Sequence, residues 1–214
     1  MIRVVGMGPG VPRYMTDEAT DALSAARVII AGKKMLEAAA PLSRARMVEL
    51  PQSGMSDEVV GVLERESRGG DVVLAVSGDP GFYSFAKKVI ARFGRDNVTT
   101  VPGLASIQLL AARIGRSWVN VASEALYGRE LPERRALAER LACSAALVVM
   151  LGPAHDAISH IRWLAEDEAL SGMWAAVGWN LGLPGELVFE AESLADLARC
   201  PYAGDLGTLW LERH

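Results

Sequence analysis

The stretch Val72–Ser84, with the sequence VVLAVSGDPGFYS, decides the fold class of this chain. It opens as a continuous aliphatic run, which predicts a strand buried on both faces. It closes at Pro80, which fixes its own φ and forces the chain to turn. Asp79 is predicted to cap a helix whose first residue is Pro80. Because α/β proteins bind small ligands where a strand's carboxyl end meets a helix, we expect this loop to form the floor of a binding cleft.

The composition is that of a soluble globular protein of one large or two small domains. Half of the 214 residues are hydrophobic and 22% are charged. The net charge of −4 provides no overall attraction for nucleic acid or for an anionic membrane. Cys143 and Cys200 form no CxxC motif, and no signal peptide or membrane-spanning run is evident. We therefore expect a cytoplasmic protein with reduced thiols.

The order of predicted elements indicates two domains. Strands alternate with helices up to residue 115, which predicts an open, mainly parallel α/β sheet over residues 1–115. All five tryptophans lie beyond that point, and the C-terminal part is rich in predicted strands. We place the domain boundary near residues 115–118 and expect a second α/β domain with a mixed sheet over residues 118–214.

Several common active-site patterns are missing from the chain. The turn Gly6–Gly10 reads GMGPG, not GxGxxG, and Pro9 removes an N–H that a phosphate nest would need. This turn is equally compatible with a structural role and with a ligand loop. His155 and His160 are five residues apart, so on a helix they do not share a face for a metal. With no GxSxG elbow and no P-loop, the sequence favours neither hydrolysis nor phosphoryl transfer.

Three segments together resemble a known family. They are VGMGPG at Val5–Gly10, SGDPGFYS at Ser77–Ser84 and VPGLAS at Val101–Ser106. In order and spacing they are similar to the tetrapyrrole methylases, two-domain enzymes of corrin and sirohaem synthesis. The resemblance implies the tetrapyrrole methylase fold, with S-adenosylmethionine (SAM) bound in a cleft between the domains and S-adenosylhomocysteine (SAH) as product.

Finer details resemble the branch that methylates carbon 5 of precorrins or cobalt-precorrins in cobalamin biosynthesis. AGKKMLE at Ala31–Glu37, PGLASIQL at Pro102–Leu109 and NLGLPGE at Asn180–Glu186 are similar to segments of that branch. Tyr127 stands where the branch usually has histidine before Gly-Arg, and Trp179 replaces an acid. These two departures concern the substrate and the methylated carbon rather than the cofactor.

The resemblance implies a set of site residues. The expected SAM contacts are Pro9, Gly78, Asp79, Phe82, Ala105, Ser106, Leu151, Asn180 and Leu181. Tyr127 and Asp79 are the candidates for a general base, and no metal is expected. Because the substrate carries many carboxylates, we hypothesise that Arg129, Arg113, Lys33 and Lys34 bind it. The residues alone favour a solvated turn for the two lysines, and only the resemblance makes substrate binding an equal alternative. The family also leads us to expect a homodimer.

Three other functions stay open at this point. The chain could methylate another carbon of a corrin precursor. It could be a SAM- or tetrapyrrole-binding protein of low activity, since Tyr127 replaces the usual histidine. The third possibility, a nicotinamide-dependent oxidoreductase, is supported only by the glycine-rich turn.

Overall fold

The computed structural model describes residues 1–50, 56–127, 131–199 and 206–214. These residues form two compact units, Met1–Ala105 and Ser106–His214. None of the described helices is long and apolar enough to cross a membrane.

The first unit is a five-stranded parallel sheet with helices on both faces. Its elements are β1 (Ile2–Gly6), α1 (Asp17–Ser24), β2 (Val28–Ala31), α2 (Lys33–Ala39), β3 (Arg46–Glu49), α3 (Ser56–Ser67), β4 (Val72–Val76), α4 (Ala86–Phe93) and β5 (Val98–Val101). Short 3₁₀ helices lie at Pro12–Tyr14, Ala40–Leu42 and Arg95–Asn97. The strand order is β3-β2-β4-β1-β5, and all paired strands run parallel. The predicted open parallel sheet is confirmed.

Alternate residues of β4 point into two separate cores, which explains the continuous apolar run of this strand. Val72 and Leu74 pack with side chains of α3 and α4. Val73 and Ala75 pack on the other face with side chains of α1 and α2. Both faces of the sheet are covered, so the strand cannot alternate between apolar and polar residues.

The helix after β4 begins later than predicted. Pro80 is not its first residue, because α4 begins at Ala86. Asp79 instead holds a tight turn: its Oδ1 accepts from the N–H of Gly81 at 2.7 Å, and its carbonyl accepts from the N–H of Phe82 at 3.1 Å. Tyr83 then adopts a left-handed φ of 48°, which stops any helix from propagating through this segment.

The second unit contains a five-stranded mixed sheet. Its elements are α5 (Ser106–Ile114), β6 (Val121–Ala125), α6 (Arg134–Ala142), β7 (Ala146–Pro153), α7 (Ala154–Ala165), α8 (Glu168–Ser171), β8 (Trp174–Trp179), β9 (Leu187–Ala191), α9 (Leu194–Leu197) and β10 (Leu206–Glu212). The strand order is β6-β7-β10-β8-β9. Only the pair β6–β7 is parallel, and the other described pairs are antiparallel. The predicted mixed sheet is confirmed.

The units divide before α5, whereas the sequence places the boundary after it, at residues 115–118. The physical reason is that α5 contacts β8 and β10 of the second sheet. Helices α6, α7, α8 and α9 contribute side chains to one continuous core with the strands of the same sheet.

A network of ion pairs joins β3 to the end of α3. The Glu66 carboxylate, whose side chain is 12% exposed, pairs with Arg46 and Arg65, and its carbonyl accepts from Arg27 Nη2 at 2.9 Å. Partial burial acts to raise the pKa of Glu66, but the hydrogen bonds and charges of the two arginines outweigh it and hold the pKa below its ordinary value.

We expect Glu66→Gln to lower the urea midpoint of unfolding at pH 7. A carboxylate with a depressed pKa contributes stability above its unfolded pKa and loses it as the pH falls through the folded one. The difference between variant and wild type should therefore be constant above about pH 5 and shrink below about pH 4.3. Glu37→Gln, at an exposed position on α2, is the control. A difference that grows on acidification would contradict the prediction.

Candidate functional site

Three loops meet at the carboxyl ends of β1, β4 and β5. The N–H of Gly8 donates to the carbonyl of Gly78 at 3.2 Å, and the N–H of Gly78 donates to the carbonyl of Gly8 at 2.8 Å. Asp79 Oδ2 accepts from the N–H of Gly103 at 3.0 Å. These bonds tie all three strand ends into one continuous surface within the first unit.

The close packing of these loops requires glycine at two positions. A Cβ on Gly6 would lie 2.7 Å from the carbonyl oxygen of Gly78 and 2.8 Å from the nitrogen of Gly103. A Cβ on Gly103 would lie 2.7 Å from the carbonyl carbon of Gly6 and would overlap the Gly78 oxygen. Any side chain there would push the loops apart, because the obstructing atoms are backbone.

Gly78 needs to be glycine for a different reason. Its φ is +68°, and a Cβ would find its nearest heavy atom, the Cα of Ala105, only at 4.0 Å. The left-handed conformation at this position favours glycine. Because no side chain is present, the backbone here stays uncovered. A ligand can approach the chain closely at this point.

Asp79 is held by its own loop and by the loop after β5. Both of its carboxylate oxygens accept backbone hydrogen bonds, one from Gly81 and one from Gly103. The sequence predicted a helix cap that could also serve as a base or cofactor contact. The described contacts show a residue that joins the loop after β4 to the loop after β5.

Two lysines follow β2 at the same edge of the parallel sheet. Lys33 and Lys34 are the first residues of α2, and both are exposed. Neither forms an ion pair with a described carboxylate, and the first turn of α2 has no acid to balance them. Two cations at the positive end of a helix repel its dipole, so an anionic ligand would be favoured here.

Arg13 adds a basic residue that the sequence did not single out. It is exposed on the 3₁₀ helix that follows the glycine-rich turn, with its guanidinium 4.8 Å from the ring centroid of Tyr14. A Cβ on Gly10 would lie 2.8 Å from Cε of Met35, so this turn packs against α2. Arg13, Lys33 and Lys34 therefore belong to neighbouring segments.

In the second unit, the predicted residues gather at one edge of the mixed sheet. Tyr127 follows β6 and is 45% exposed, whereas Leu151 in β7 is 2% exposed. Gly207 of β10 is paired with both Leu151 and Trp179. Asn180, directly after β8, donates its N–H to the carbonyl of Leu206 at 3.0 Å. The ends of β6, β7 and β8 and the start of β10 therefore bring these residues to the same side.

The loop after β8 is shaped by one carboxylate. Glu186 Oε2 accepts from the N–H of Gly182 at 2.5 Å, and Oε1 accepts from Arg113 Nε at 2.5 Å. Arg113 is thus bound to Glu186, although the sequence predicted that it binds substrate carboxylates. Its described contacts favour a loop-holding role. Glu186 was missed as a site residue because Arg113, which is 73 residues away, becomes its neighbour only in the fold.

The remaining predicted residues are distributed over both units. Phe82 is half-buried and packs edge-on to Tyr83 with ring centroids 5.0 Å apart. Ala105 is buried, while Pro9 and Ser106 are half-buried. Arg129 lies outside the described residues. Within the part of the chain that the structure describes, no three His, Cys, Asp or Glu side chains form a group that could hold a metal ion.

The first unit has a parallel sheet that is covered on both faces and carries glycine-rich loops at its strand ends, and the second unit has a mixed sheet. These features define a two-domain α/β protein whose strand-end loops can bind a ligand. The family model of the Tetrapyrrole (Corrin/Porphyrin) Methylases matches residues 1–198. The chain belongs to this family.

Individual relatives differ in the carbon that they methylate. A cobalt-precorrin-7 C(5)-methyltransferase from Salmonella typhimurium is 30% identical over 124 residues, which make up 54% of this chain and 55% of that enzyme. A probable cobalt-factor III C(17)-methyltransferase from Methanothermobacter thermautotrophicus is 26% identical over 210 residues, or 91% of this chain and 58% of that protein. The chain therefore matches less than two thirds of the length of each.

A solved structure shows the same fold with a product bound. It is the uroporphyrin-III C-methyl transferase from Thermus thermophilus complexed with SAH, with a TM-score of 0.71 and 24% identity. The similarity covers 99% of this chain and 91% of that one.

Proposed function

We propose that this protein is a SAM-dependent C-methyltransferase that methylates carbon 5 of a precorrin-type tetrapyrrole in cobalamin biosynthesis. The observation that carries the proposal is the family match over residues 1–198, which includes all three glycine-rich strand ends. The choice of carbon 5 is supported by the 124-residue similarity to the Salmonella enzyme and by the three branch-like segments.

The residues present suit SAM as the cofactor. When bound, SAM supplies a methyl group on a positively charged sulfur, which leaves as a neutral thioether. The proposed contacts in the first unit are Pro9, Gly78, Asp79, Phe82 and Ala105, and those in the second are Ser106, Leu151, Asn180 and Leu181. Two features fit a ligand of this kind: the uncovered backbone of Gly78 and a buried Asn180 Oδ1 that has no hydrogen-bond partner among the described residues.

The protein's own residues would act mainly by positioning and by excluding water. Methyl transfer requires the reacting carbon to be held in line with the methyl group, and the rate gained comes from orientation and desolvation. If a proton must leave the macrocycle, the candidate acceptors are Tyr127 and Asp79, and we favour Tyr127 because two backbone N–H groups already engage the Asp79 carboxylate.

The direct test is turnover with a defined set of substrates. Purified protein is incubated with SAM and with cobalt-containing and metal-free precorrins, and SAH formation and product mass are measured. We expect a product heavier by one methylene unit, with NMR placing the new methyl group on carbon 5. Binding of SAH without any methylated product would instead support the low-activity binding protein.

The alternative within the same class is methylation at a different carbon. The observation that favours it is the similarity to the C(17) methyltransferase, which extends over 91% of this chain. A methyl signal on carbon 17 in the same NMR experiment would establish this alternative. A protein that binds NAD tightly and SAM not at all would contradict both.

We expect the double substitution Lys33→Glu and Lys34→Glu to raise the KM for the tetrapyrrole by about one to two orders of magnitude, while the affinity for SAH stays within about twofold. The reason is that two cations without described carboxylate partners would become two anions facing a polycarboxylate. Lys87→Glu, at an exposed position on α4, provides the control. An unchanged KM would remove the lysines from the substrate site.

The assembly and location are also proposals. The family resemblance leads us to propose a homodimer. The chain has two cysteines and no CxxC motif, which leads us to propose a cytoplasmic location. Light scattering of the purified protein tests the first, and fractionation of the source cells tests the second.

A further inference from the structure

The second sheet ends on a strand whose outer side has no strand partner among the described residues. This strand is β6, the first in the order β6-β7-β10-β8-β9, and it pairs with β7. Directly after β6, the N–H of Leu126 donates to the carbonyl of Met150 in β7 at 3.0 Å. Because the N–H and C=O groups of successive strand residues face alternate sides, those of Ser123 and Ala125 face outward. Outward groups of this kind are a template for pairing with another chain.

Two side chains occupy outward groups of β6. Arg140 on α6 donates from Nη2 to the carbonyl of Ser123 and from Nη1 to Glu124 Oε2, the latter at 2.5 Å. Glu124 Oε1 accepts from the N–H of Ala125 at 3.1 Å. One carboxylate and one guanidinium therefore satisfy an outward acceptor and an outward donor of the strand from within the chain.

This ion pair differs from its neighbour on the same helix. The side chain of Glu124 is 13% exposed and that of Arg140 is 42% exposed. Arg135 and Glu139 of α6 also form a pair, at 3.0 Å, but their side chains are 86% and 66% exposed. The described hydrogen bond of the Arg135 side chain goes to Glu139 and not to a strand. Only the first of these two pairs lies across a sheet edge.

The residues around this edge would favour association if the edge were open. The sequence of β6 is VASEA, in which Glu124 is the single charged residue. Before the strand, Trp118 is 53% exposed and Val119 is 76% exposed, and Tyr127 after it is 45% exposed. An edge strand with little charge and exposed apolar neighbours is a site where protein chains associate.

A second copy of β6 matches this edge. If two copies run antiparallel with Ser123 opposite Ser123, the outward N–H and C=O groups of these residues face each other. The same register places Val121 of one copy opposite Ala125 of the other. This pairing needs the Ser123 carbonyl and the Ala125 N–H, which are the two groups that the side chains occupy.

We propose that Glu124 and Arg140 form a guard that keeps β6 from pairing with a second copy of this chain. The guard is an autoinhibitory contact, because it occupies the backbone groups through which the two copies would bind. It is independent of the proposed function and of the proposed homodimer, since it concerns association beyond the wild-type assembly.

Two double variants make the same chemical change at the two ion pairs. Glu124→Ala with Arg140→Ala removes the guard, and Arg135→Ala with Glu139→Ala removes the exposed pair on the same helix. Both variants keep the net charge of the chain. Sedimentation velocity over a range of protein concentrations measures association. The guard variant should self-associate at least about tenfold more tightly than wild type, a gain that one or two hydrogen bonds supply, and the control should not.

Residue-resolved amide exchange locates the contact. In dilute solution the Ala125 amide of the guard variant should exchange faster than in wild type, because Glu124 Oε1 no longer accepts its hydrogen. In concentrated solution the same amide should exchange more slowly than in dilute solution, because a carbonyl of the second copy accepts it. Exchange of this amide in wild type should not depend on concentration.

Three results would overturn the proposal. They are a guard variant that associates no more than wild type, equal association of the two double variants, and association that leaves Ala125 exchange unchanged. Circular dichroism shows whether the guard variant is folded. If it is not, Arg140→Ala, which frees only the Ser123 carbonyl, is compared with Arg135→Ala in the same experiments. The expected order and the contradicting results stay the same.

Discussion

Gly103→Ala should destabilise the protein by roughly 3 kcal/mol and abolish measurable SAH binding, since it inserts a methyl group into a space already filled by backbone. The new Cβ would lie 2.7 Å from the carbonyl carbon of Gly6 and would overlap the carbonyl oxygen of Gly78. These atoms cannot rotate away as a flexible side chain can. The loops after β1, β4 and β5 must therefore separate.

The separation would also break the hydrogen bond from the N–H of Gly103 to Asp79 Oδ2, now 3.0 Å long. Urea unfolding measures the loss of stability, and calorimetry with SAH measures the loss of binding.

Gly61→Ala makes the identical chemical change with the opposite expected sign. Gly61 lies within α3, and apart from its chain neighbours and the nearby backbone of its own helix, no heavy atom lies within 4 Å of a Cβ built there. Alanine is the better helix former by about 0.8–1 kcal/mol, so this variant should be more stable than wild type and should bind SAH normally. If Gly103→Ala were as stable as Gly61→Ala and kept SAH affinity, the close packing of the three loops would be refuted.

Predictions for the buried strands were accurate because burial leaves a clear pattern in a sequence. The apolar run of β4 and the strand Trp174–Trp179 were both predicted at the residues where they occur. In contrast, β3 lies at the edge of its sheet, where every residue is at least partly exposed. A half-exposed edge strand has no continuous apolar run, and so Arg46–Glu49 could not be recognised.

The predicted helix start at Asp79 failed for a more general reason. Asp followed by Pro is typical of a helix N-terminus, but the same pair also begins tight turns. What decides between them is the left-handed Tyr83, and a tyrosine gives no signal for that conformation in a sequence. The helix begins only at Ala86.

The candidate site, like the fold, could be predicted only in part. The glycine motifs identified which loops matter, because close backbone packing demands glycine wherever it occurs. The partners of Asp79 and Arg113 could not be predicted, since Gly103 lies 24 residues from Asp79 and Glu186 lies 73 residues from Arg113. Only the fold brings them together, and it changes the interpretation of both side chains.

Asp79→Asn should weaken SAH binding by about 10- to 100-fold and should leave most of the maximal turnover in place at saturating SAM. Two backbone N–H groups, those of Gly81 and Gly103, face the two carboxylate oxygens. An asparagine presents one oxygen and one NH₂ group, so it can satisfy only one of them. The other N–H would face a second donor, and the link between the loops after β4 and β5 would be lost.

The opposite pattern would identify Asp79 as the proton acceptor. A general base contributes to the chemical step, so its loss lowers kcat and leaves cofactor affinity unchanged. Calorimetry with SAH and a full titration of SAM in the turnover assay distinguish the two patterns. Asp96→Asn, at an exposed position in the 3₁₀ helix Arg95–Asn97, is the matched control and should change neither quantity. If Asp79→Asn binds SAH as wild type does but turns over poorly, Asp79 is a base after all and Tyr127 loses its support.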